Sequence, residues 1–346
     1  SETALGRMTG KSPVGAFACF GKSAPFRFGG WINAVIPMLI VPYYSVIGGW
    51  VLKYLVEYLC GNGKAMAEDG FFGSFISSNA GAEVWFLVFT ALVFFVILAG
   101  VKNGVERVSK VMMPLLLLLA TFVVVYSVTR PGALAGVRYF LVPRLEDFSI
   151  MTVVAAMGQM FYSLSIAMGI LYTYGSYMHK DVDIEKSTAQ VEFFDTGVAV
   201  LAGLMFFFAA LTSAISLLET SVSTLQDELH LTRPVCCVLM ALLMVVLGSC
   251  SAFGYGMWDH VLLFGMQILD FFDFLTNSIM MPIAALATCF LILKVVGFKR
   301  IADEVQISSV FHRRKVYEFF MKYLAPVCIL VILLSSIANV LGLITM

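Results

Sequence analysis

Long uninterrupted apolar runs dominate the chain, and short polar or charged stretches punctuate them. Eight runs stand out: 33–52, 84–101, 111–129, 148–178, 193–218, 234–257, 274–293 and 323–346. A helix needs about 20 apolar residues to cross a hydrocarbon core of ~30 Å. These runs are continuous, so they predict helices. A transmembrane barrel, whose strands alternate apolar and polar positions, is excluded. The pattern therefore predicts an all-α polytopic membrane protein. Composition agrees, with 60% hydrophobic residues, 13% charged residues and a mean hydropathy of +0.93. Soluble domains carry about a quarter charged residues, and this chain has too few to coat a water-soluble particle. The first 27 residues are polar and glycine-rich and contain no secretory signal.

Charge placement sets the orientation, because cytosolic loops are enriched in Lys and Arg. Residues 1–27 carry Arg7, Lys11, Lys22 and Arg27 against Glu2. Residues 102–110 carry Lys102, Arg107 and Lys110 against Glu106, and 294–318 carry Lys294, Lys299, Arg300, Arg313, Arg314 and Lys315. All three segments are expected on the cytosolic side of the plasma membrane. The segment 61–83, with Glu68, Asp69 and Glu83 against Lys64, is expected outside. A simple count of crossings then fails. If 193–218 crosses once, 294–318 lands outside and the acidic stretch around Asp259, Asp270 and Asp273 lands inside. Two half-spans meeting near Met205–Phe206 restore both, and a re-entrant hairpin does so equally well.

Polar groups inside apolar runs are expensive in hydrocarbon and therefore informative. The stretch 158–169 sits in a 31-residue uncharged run and holds Gly158, Ser163, Ser165 and Gly169 at mid-depth. One reading is a broken helix that frees backbone groups for an ion or a carboxylate. The other is a continuous helix with a small-residue packing face. Asp195 is the single charge between Glu192 and Glu219. It reads as a cation ligand or proton carrier, or as an interfacial acid at a helix end. The hydroxyls and small residues of 209–216 offer hard oxygen ligands suited to a small cation, or else a packing face. The adjacent Tyr43 and Tyr44 lie mid-run, where a hydroxyl wants a partner. The seven cysteines read as small apolar filler without zinc-ligand spacing. The four histidines fall in loops or at run ends. No nucleophile–base pair, phosphate loop or dinucleotide fingerprint is present. The 22 basic and 22 acidic residues cancel, leaving no basic footprint for nucleic acid.

Several stretches, taken in order, carry a family resemblance. They are Glu-Thr-Ala-Leu-Gly-Arg at 2–7, Pro-Tyr-Tyr at 42–44 and Lys-Asn-Gly-Val-Glu-Arg-Val-Ser-Lys-Val-Met-Met-Pro at 102–114. Gly-Gln-Met-Phe-Tyr-Ser-Leu-Ser at 158–165, Tyr-Gly-Ser-Tyr at 174–177 and Asp-Thr-Gly-Val-Ala-Val-Leu-Ala-Gly at 195–203 follow. Phe-Ala-Ala-Leu-Thr-Ser at 208–213 and Leu-Gln-Asp-Glu-Leu at 225–229 complete the series. The chain resembles the neurotransmitter:sodium symporter family, specifically its bacterial amino-acid transporters. The resemblance implies one transmembrane transporter domain over 1–346, a LeuT-type inverted-repeat helix bundle. It also implies an incomplete bundle. The family's broken helix 1 and most of helix 2 have no counterpart, and 1–7 resembles the cytosolic end of helix 2. The junction between helices 7 and 8 is collapsed at Met205–Phe206. The spans then correspond to helices 3 (33–52), 4 (84–101), 5 (111–129), 6 (148–178), a shortened 7 (187–205), a shortened 8 (206–228), and helices 9 to 11.

Position by position, the resemblance implies roles. Tyr44 would bind the substrate carboxylate, with Ile40 lining the side-chain pocket. Tyr162 would be the aromatic lid, where the family usually has Phe, and Met168 would shape the pocket floor. Ser163 would ligate a first sodium together with Asp195, and Ser165 would lie in the unwound substrate segment. Ala209, Thr212 and Ser213 would form a second sodium site, with Ser213, Ser216 and Leu217 also facing substrate. Gln159 and Asp273 would form the outer gate, and Ser176, Tyr177 and Asp227 the inner gate. Glu2 would bind free backbone N–H groups of the broken helices.

The implied activity is sodium-coupled symport of neutral, hydrophobic or aromatic amino acids by alternating access, without covalent chemistry and hence without enzyme activity. Sodium would be the coupling ion. Chloride would not be required, because Asp195 itself supplies negative charge. The implied partners are a small-molecule amino acid and the lipid bilayer, with no nucleic acid. Lacking helix 1, the chain by itself is expected to transport weakly or not at all. The alternative is a channel or receptor-like membrane protein, which saturable sodium-dependent uptake would separate.

Overall fold

The computed structural model describes residues 1–66, 68, 70–129, 148–201 and 207–340. Every named element is helical. The chain opens with two short helices, α1 (Glu2–Thr9) and α2 (Pro13–Phe20). Next comes the 36-residue α3 (Ala24–Leu59), started by Ser23 and a proline in its first turn; proline there forfeits no hydrogen bond. After α4 (Gly63–Met66) and α5 (Phe71–Ser77) comes α6 (Asn79–Leu98), capped by the Ser78 hydroxyl accepting from the Gly81 N–H. A π-helical turn leads into α7 (Arg107–Val128). Then follow α8 (Ile150–Ser163), α9 (Ile170–Tyr177), α10 (Ile184–Leu201), α11 (Phe207–Leu229) and α12 (Arg233–Phe253). Two composite helices finish the chain. The first is α13 (Ile268–Asp273), α14 (Met281–Leu291) and α15 (Gly297–Gln306), joined by π-helical turns; the second is α16 (Arg314–Phe319) and α17 (Ala325–Val340).

The helix α3 is the central strut, packing against α2, α6, α11, α12 and α14. Its fully buried face (Ile36, Ile40, Val41, Tyr43, Val46) meets Phe86, Phe89 and Val93 of α6, Ile215 and Leu218 of α11, and Met240 and Met244 of α12 in one apolar cluster. A second cluster lies apart from it. It joins Ala4 and Leu5 of α1, Phe17 of α2, Tyr172 of α9, Ile184 of α10, and Leu291, Ile301 and Val305 from the end of the chain's first composite helix.

Among the described residues, six helices are long and apolar enough to cross a membrane: Ala24–Leu59, Ala80–Leu98, Gly104–Tyr126, Arg233–Phe253, Ile268–Gln306 and Arg314–Ala338. They account for six of the eight apolar runs. The run 148–178 divides into α8 and α9, and 193–218 into α10 and α11. The expected join at Met205–Phe206 lies outside the described residues. One boundary needs correction. The first long helix begins at Ala24 rather than 33, so Arg27 lies within it and not in a polar loop. The helix starts at the proline-led turn after Ser23, and a charged residue inside it does not interrupt it. The cysteines are also more varied than uniform filler: Cys236, Cys237 and Cys289 are buried, whereas Cys19 and Cys60 are exposed.

Candidate substrate and ion site

The broken-helix reading of 158–169 holds. Regular helix stops at Ser163 and resumes at Ile170. Between them the Ser165 N–H reaches back to the Tyr162 carbonyl and the Ile166 N–H to the Phe161 carbonyl, in place of regular i→i−4 bonds. Ser165 (φ 54), Ala167 (φ 61) and Gly169 (φ 72) take left-handed conformations. For residues with a Cβ this region costs about 1–2 kcal/mol each. Ser165 and Ala167, so close together, mark a segment held in place by its surroundings.

Those surroundings are specific. The Ala167 N–H, freed by the break, donates to Glu2 Oε1 at 3.0 Å. Glu2 is buried, and its second oxygen, Oε2, has no partner among the described residues. The orphan oxygen leaves acceptor capacity for a further backbone N–H. At the other edge of the break, the Ser163 hydroxyl donates to Asp195 Oδ1 at 2.7 Å. The α8 terminus and α10 thus bring together two oxygen-bearing groups 32 residues apart in sequence. Ile40, Met168 and Leu217 are all buried in the main apolar cluster, and Tyr44 and Tyr162 pack against it. Ser216 shares a hydrogen bond of 3.0 Å with the Tyr174 hydroxyl. The side chains of Ala209, Thr212 and Ser213 lie outside the described residues.

The residues expected at the two gates divide. Gln159 and Asp273 line one cavity of about 390 Å³ together with Gly158, Tyr162, Asn277 and Ser336. Asp273 Oδ1 accepts hydrogen bonds from the Tyr43 hydroxyl at 3.0 Å and from Asn277 Nδ2 at 2.6 Å. Asp273 is thus the partner that the mid-membrane Tyr43 hydroxyl needs, a pairing the sequence pattern does not supply. The residues expected at the inner gate have separate partners. The Ser176 hydroxyl bonds the Thr173 carbonyl of its own helix. Asp227 Oδ2 accepts the Ser12 N–H at 2.8 Å. Tyr177 donates to Glu219 Oε1 at 3.0 Å, and Glu219 is paired with Arg233 Nη2 at 2.5 Å. Glu219 is completely buried, and neither it nor Arg233 was singled out from the sequence. The available signal was an acid on the buried stripe of a helix, which requires a cation nearby.

A model of the sodium:neurotransmitter symporter family matches residues 74–209 and 204–344. The two matched stretches meet where the sequence suggested a shortened junction. The chain is similar to an uncharacterized sodium-dependent transporter, YhdH, of Bacillus subtilis, with 29% identity over 97% of this chain and 85% of the relative. That alignment runs over 384 residues, more than the 346 of this chain, so the relative carries internal residues that have no counterpart here. An uncharacterized sodium-dependent transporter of Haemophilus influenzae is similar at 27% identity over 92% of this chain and 80% of its own length. Among solved structures, MhsT in complex with L-phenylalanine superposes with a TM-score of 0.87 and 27% identity, covering 97% of this chain and 87% of MhsT. The helical bundle, the broken helix at its centre and the family match over most of the length agree: the chain is a multi-pass membrane protein and belongs to the sodium:neurotransmitter symporter family.

Proposed function

We propose that the chain carries the site of a sodium-coupled symporter for neutral, hydrophobic or aromatic amino acids. The observation that supports this most directly is the 2.7 Å contact between Ser163 and Asp195 at the edge of the helix break. A hydroxyl and a carboxylate beside backbone groups released from helical bonding form a hard-oxygen environment, which suits a small cation. Next to it, the apolar side chains of Ile40, Met168 and Leu217 favour an uncharged substrate side chain. Tyr44 and Tyr162 bring hydroxyls that can bind a substrate carboxylate and close over it. MhsT, crystallised with L-phenylalanine, is consistent with an aromatic amino acid. The carboxylate of Asp195 supplies a negative charge of its own, so this reading includes no chloride requirement. Sodium and substrate share the break, so each should raise the other's affinity by the same factor. The non-helical turn 164–169 is the point about which α9 would swing to open the inner side.

Equilibrium binding of tritiated L-phenylalanine and L-leucine to the purified chain in detergent tests this reading, with sodium exchanged for potassium. Binding should require sodium. Asp195→Ala should shift half-maximal sodium upward by about tenfold or more, a change of ~1.4 kcal/mol, and the defect should shrink as sodium rises. Asp195→Asn should retain part of the sodium response and acquire sensitivity to chloride. An unchanged sodium dependence in the Ala variant would sink the ligand assignment. Sodium-independent binding would sink symport. Uptake into proteoliposomes by the same chain measures how much transport these residues sustain alone.

A further inference from the structure

The second apolar cluster holds a polar knot at its edge. Arg7, in the last turn of α1, is 3% exposed, and Glu304, on α15, is 6% exposed. Arg7 Nε donates to Glu304 Oε1 at 2.8 Å, and Arg7 Nη2 donates to the Glu304 carbonyl at 2.5 Å. Arg7 Nη1 donates to the Val182 carbonyl at 2.6 Å. Lys180 Nζ reaches the same Glu304 Oε1 at 2.7 Å. A single guanidinium therefore ties together the end of α1, the link between α9 and α10, and α15. Its planar fork of donors makes such three-way bonding possible where a lysine could not.

The knot bears on α9, because α1 and α9 pack backbone against backbone. A Cβ added to Gly6 would come within 2.1 Å of the Tyr172 carbonyl oxygen, and one added to Gly175 within 2.4 Å of the Thr3 carbonyl oxygen. The two backbones are in direct contact along both turns, so displacing α9 displaces α1. A second tie runs from the buried Tyr172 hydroxyl of α9 to Thr288 Oγ1 of α14 at 3.2 Å. The helix α15 itself is amphipathic. Ile301, Ala302, Glu304 and Val305 face inward, and Lys299, Arg300, Asp303 and Gln306 face solvent. It is joined to α14 through a π-helical turn and Gly297 at φ 78, a conformation that lets the chain change direction there.

We propose that α15 is a strap on the cytosolic side, clamped by Glu304, that holds α1 and α9 closed, and that releasing this clamp is what lets α9 swing about 164–169. Glu304 is then a positioning residue: it touches neither ion nor substrate and acts through Arg7. The proposal rests on α9 being the moving half of the broken helix. Its test needs neither ligand nor transport, so its outcome is separate from that of the binding experiment.

Amide hydrogen exchange followed by mass spectrometry on the purified chain in detergent reads the clamp directly, because local opening sets the exchange of each segment. Glu304→Gln should speed exchange in α1, α9 and α15 together by about fivefold or more, with α8 and α3 within about twofold of the native chain. Lys180→Gln removes a half-exposed partner that the fold does not need. It should give the same pattern with a smaller amplitude, which keeps the test available if Glu304→Gln folds poorly. A rise in α8 and α3 equal to that in α9 would indicate general loosening and overturn the proposal. So would unchanged exchange of α9 in Lys180→Gln together with an effect of Glu304→Gln confined to α15.

Discussion

Substituting Gly169 by alanine isolates what holds the break in the transport helix. Two penalties apply. Gly169 sits at φ 72, where a residue with a Cβ loses roughly 1–2 kcal/mol. The new methyl would also lie 2.6 Å from Pro13 Cγ, 2.9 Å from the Asn33 carbonyl oxygen and 3.2 Å from Thr220 Cγ2. The proline and threonine can give a little, but the carbonyl belongs to α3 and cannot move without bending that helix. Overpacking of this kind costs about 1–3 kcal/mol. The total is roughly 2–5 kcal/mol. Gly10 supplies the control, because it has φ 64 and a methyl added there would meet nothing within 4 Å. Gly10→Ala should therefore show the conformational penalty alone, roughly 1–2 kcal/mol. Membrane proteins commonly unfold irreversibly, so both variants should be heated at one fixed scan rate. The surviving monodisperse fraction is then read by fluorescence-detected size exclusion. The midpoint of Gly169→Ala should fall at least about twice as far as that of Gly10→Ala. Equal shifts would refute the close approach of α2, α3 and α11 to the break, and an undiminished midpoint for Gly169→Ala would refute the left-handed turn as well.

Further outcomes follow from the same contacts. Arg233→Ala leaves the fully buried Glu219 with the Tyr177 hydroxyl but no cation. Breaking one side of a buried pair costs roughly 3–5 kcal/mol, and the 22% exposure of Arg233 places the effect at the low end. The double variant Glu219→Gln, Arg233→Gln should recover part of the loss in the same heating assay, and no recovery would show that the two do not act as a pair. Tyr172→Phe should lower stability by only about 0.5–1.5 kcal/mol, because Thr288 keeps its own bond to the Ala284 carbonyl; a larger loss would mean that the tyrosine does more than brace α14. Asp183 lies in the loop before α10, and the Lys186 N–H it caps holds its carboxyl below the ordinary 3.8. A depressed value in the folded state means its contribution is complete above 3.8 and is lost as pH falls through the lowered value. Pepsin cleavage near 180–187 should accelerate over that acid window in the native chain and be fast throughout in Asp183→Ala. A pH-independent difference would remove the capping role.

How much of this was legible in sequence depends on the range of the interaction. The break was readable because its causes are local: small and hydroxyl residues gathered in an uncharged run too long for one span. Asp195 stood out because a lone acid in an apolar run is rare, but the run alone left open an ion ligand, a proton carrier or an interfacial acid; its contact with Ser163, 32 residues away, was not visible there. The start of α3 was misplaced because Arg27 looked like the end of a loop, whereas the helix begins at the proline-led turn after Ser23. The partner of Tyr43 was invisible, since Asp273 is 230 residues away and no periodicity connects them. The Glu219–Arg233 pair lies close in sequence, but it forms only when α11 and α12 pack. The segment 294–318 read as a basic cytosolic loop, and that reading hid the inward face of α15. There a single acid, Glu304, carries more structure than the surrounding lysines and arginines.

The length of α3 has a consequence for the membrane around it. Thirty-six residues at 1.5 Å each give about 54 Å, far more than the ~30 Å of a typical hydrocarbon core. Between Arg27 and Lys53 the helix rises about 39 Å. An inclination near 40°, at the upper end of what transmembrane helices show, reduces this to about 30 Å and sets both charges at the lipid headgroups. A smaller inclination leaves their long side chains to reach outward for water. Because α3 carries Ile40, Tyr43 and Tyr44 at its midpoint and packs against helices along much of the chain, its inclination is shared by the bundle. Bilayer thickness thereby becomes a mechanical input to the binding site: lipids with shorter chains would lean the strut over, and longer ones would draw it upright.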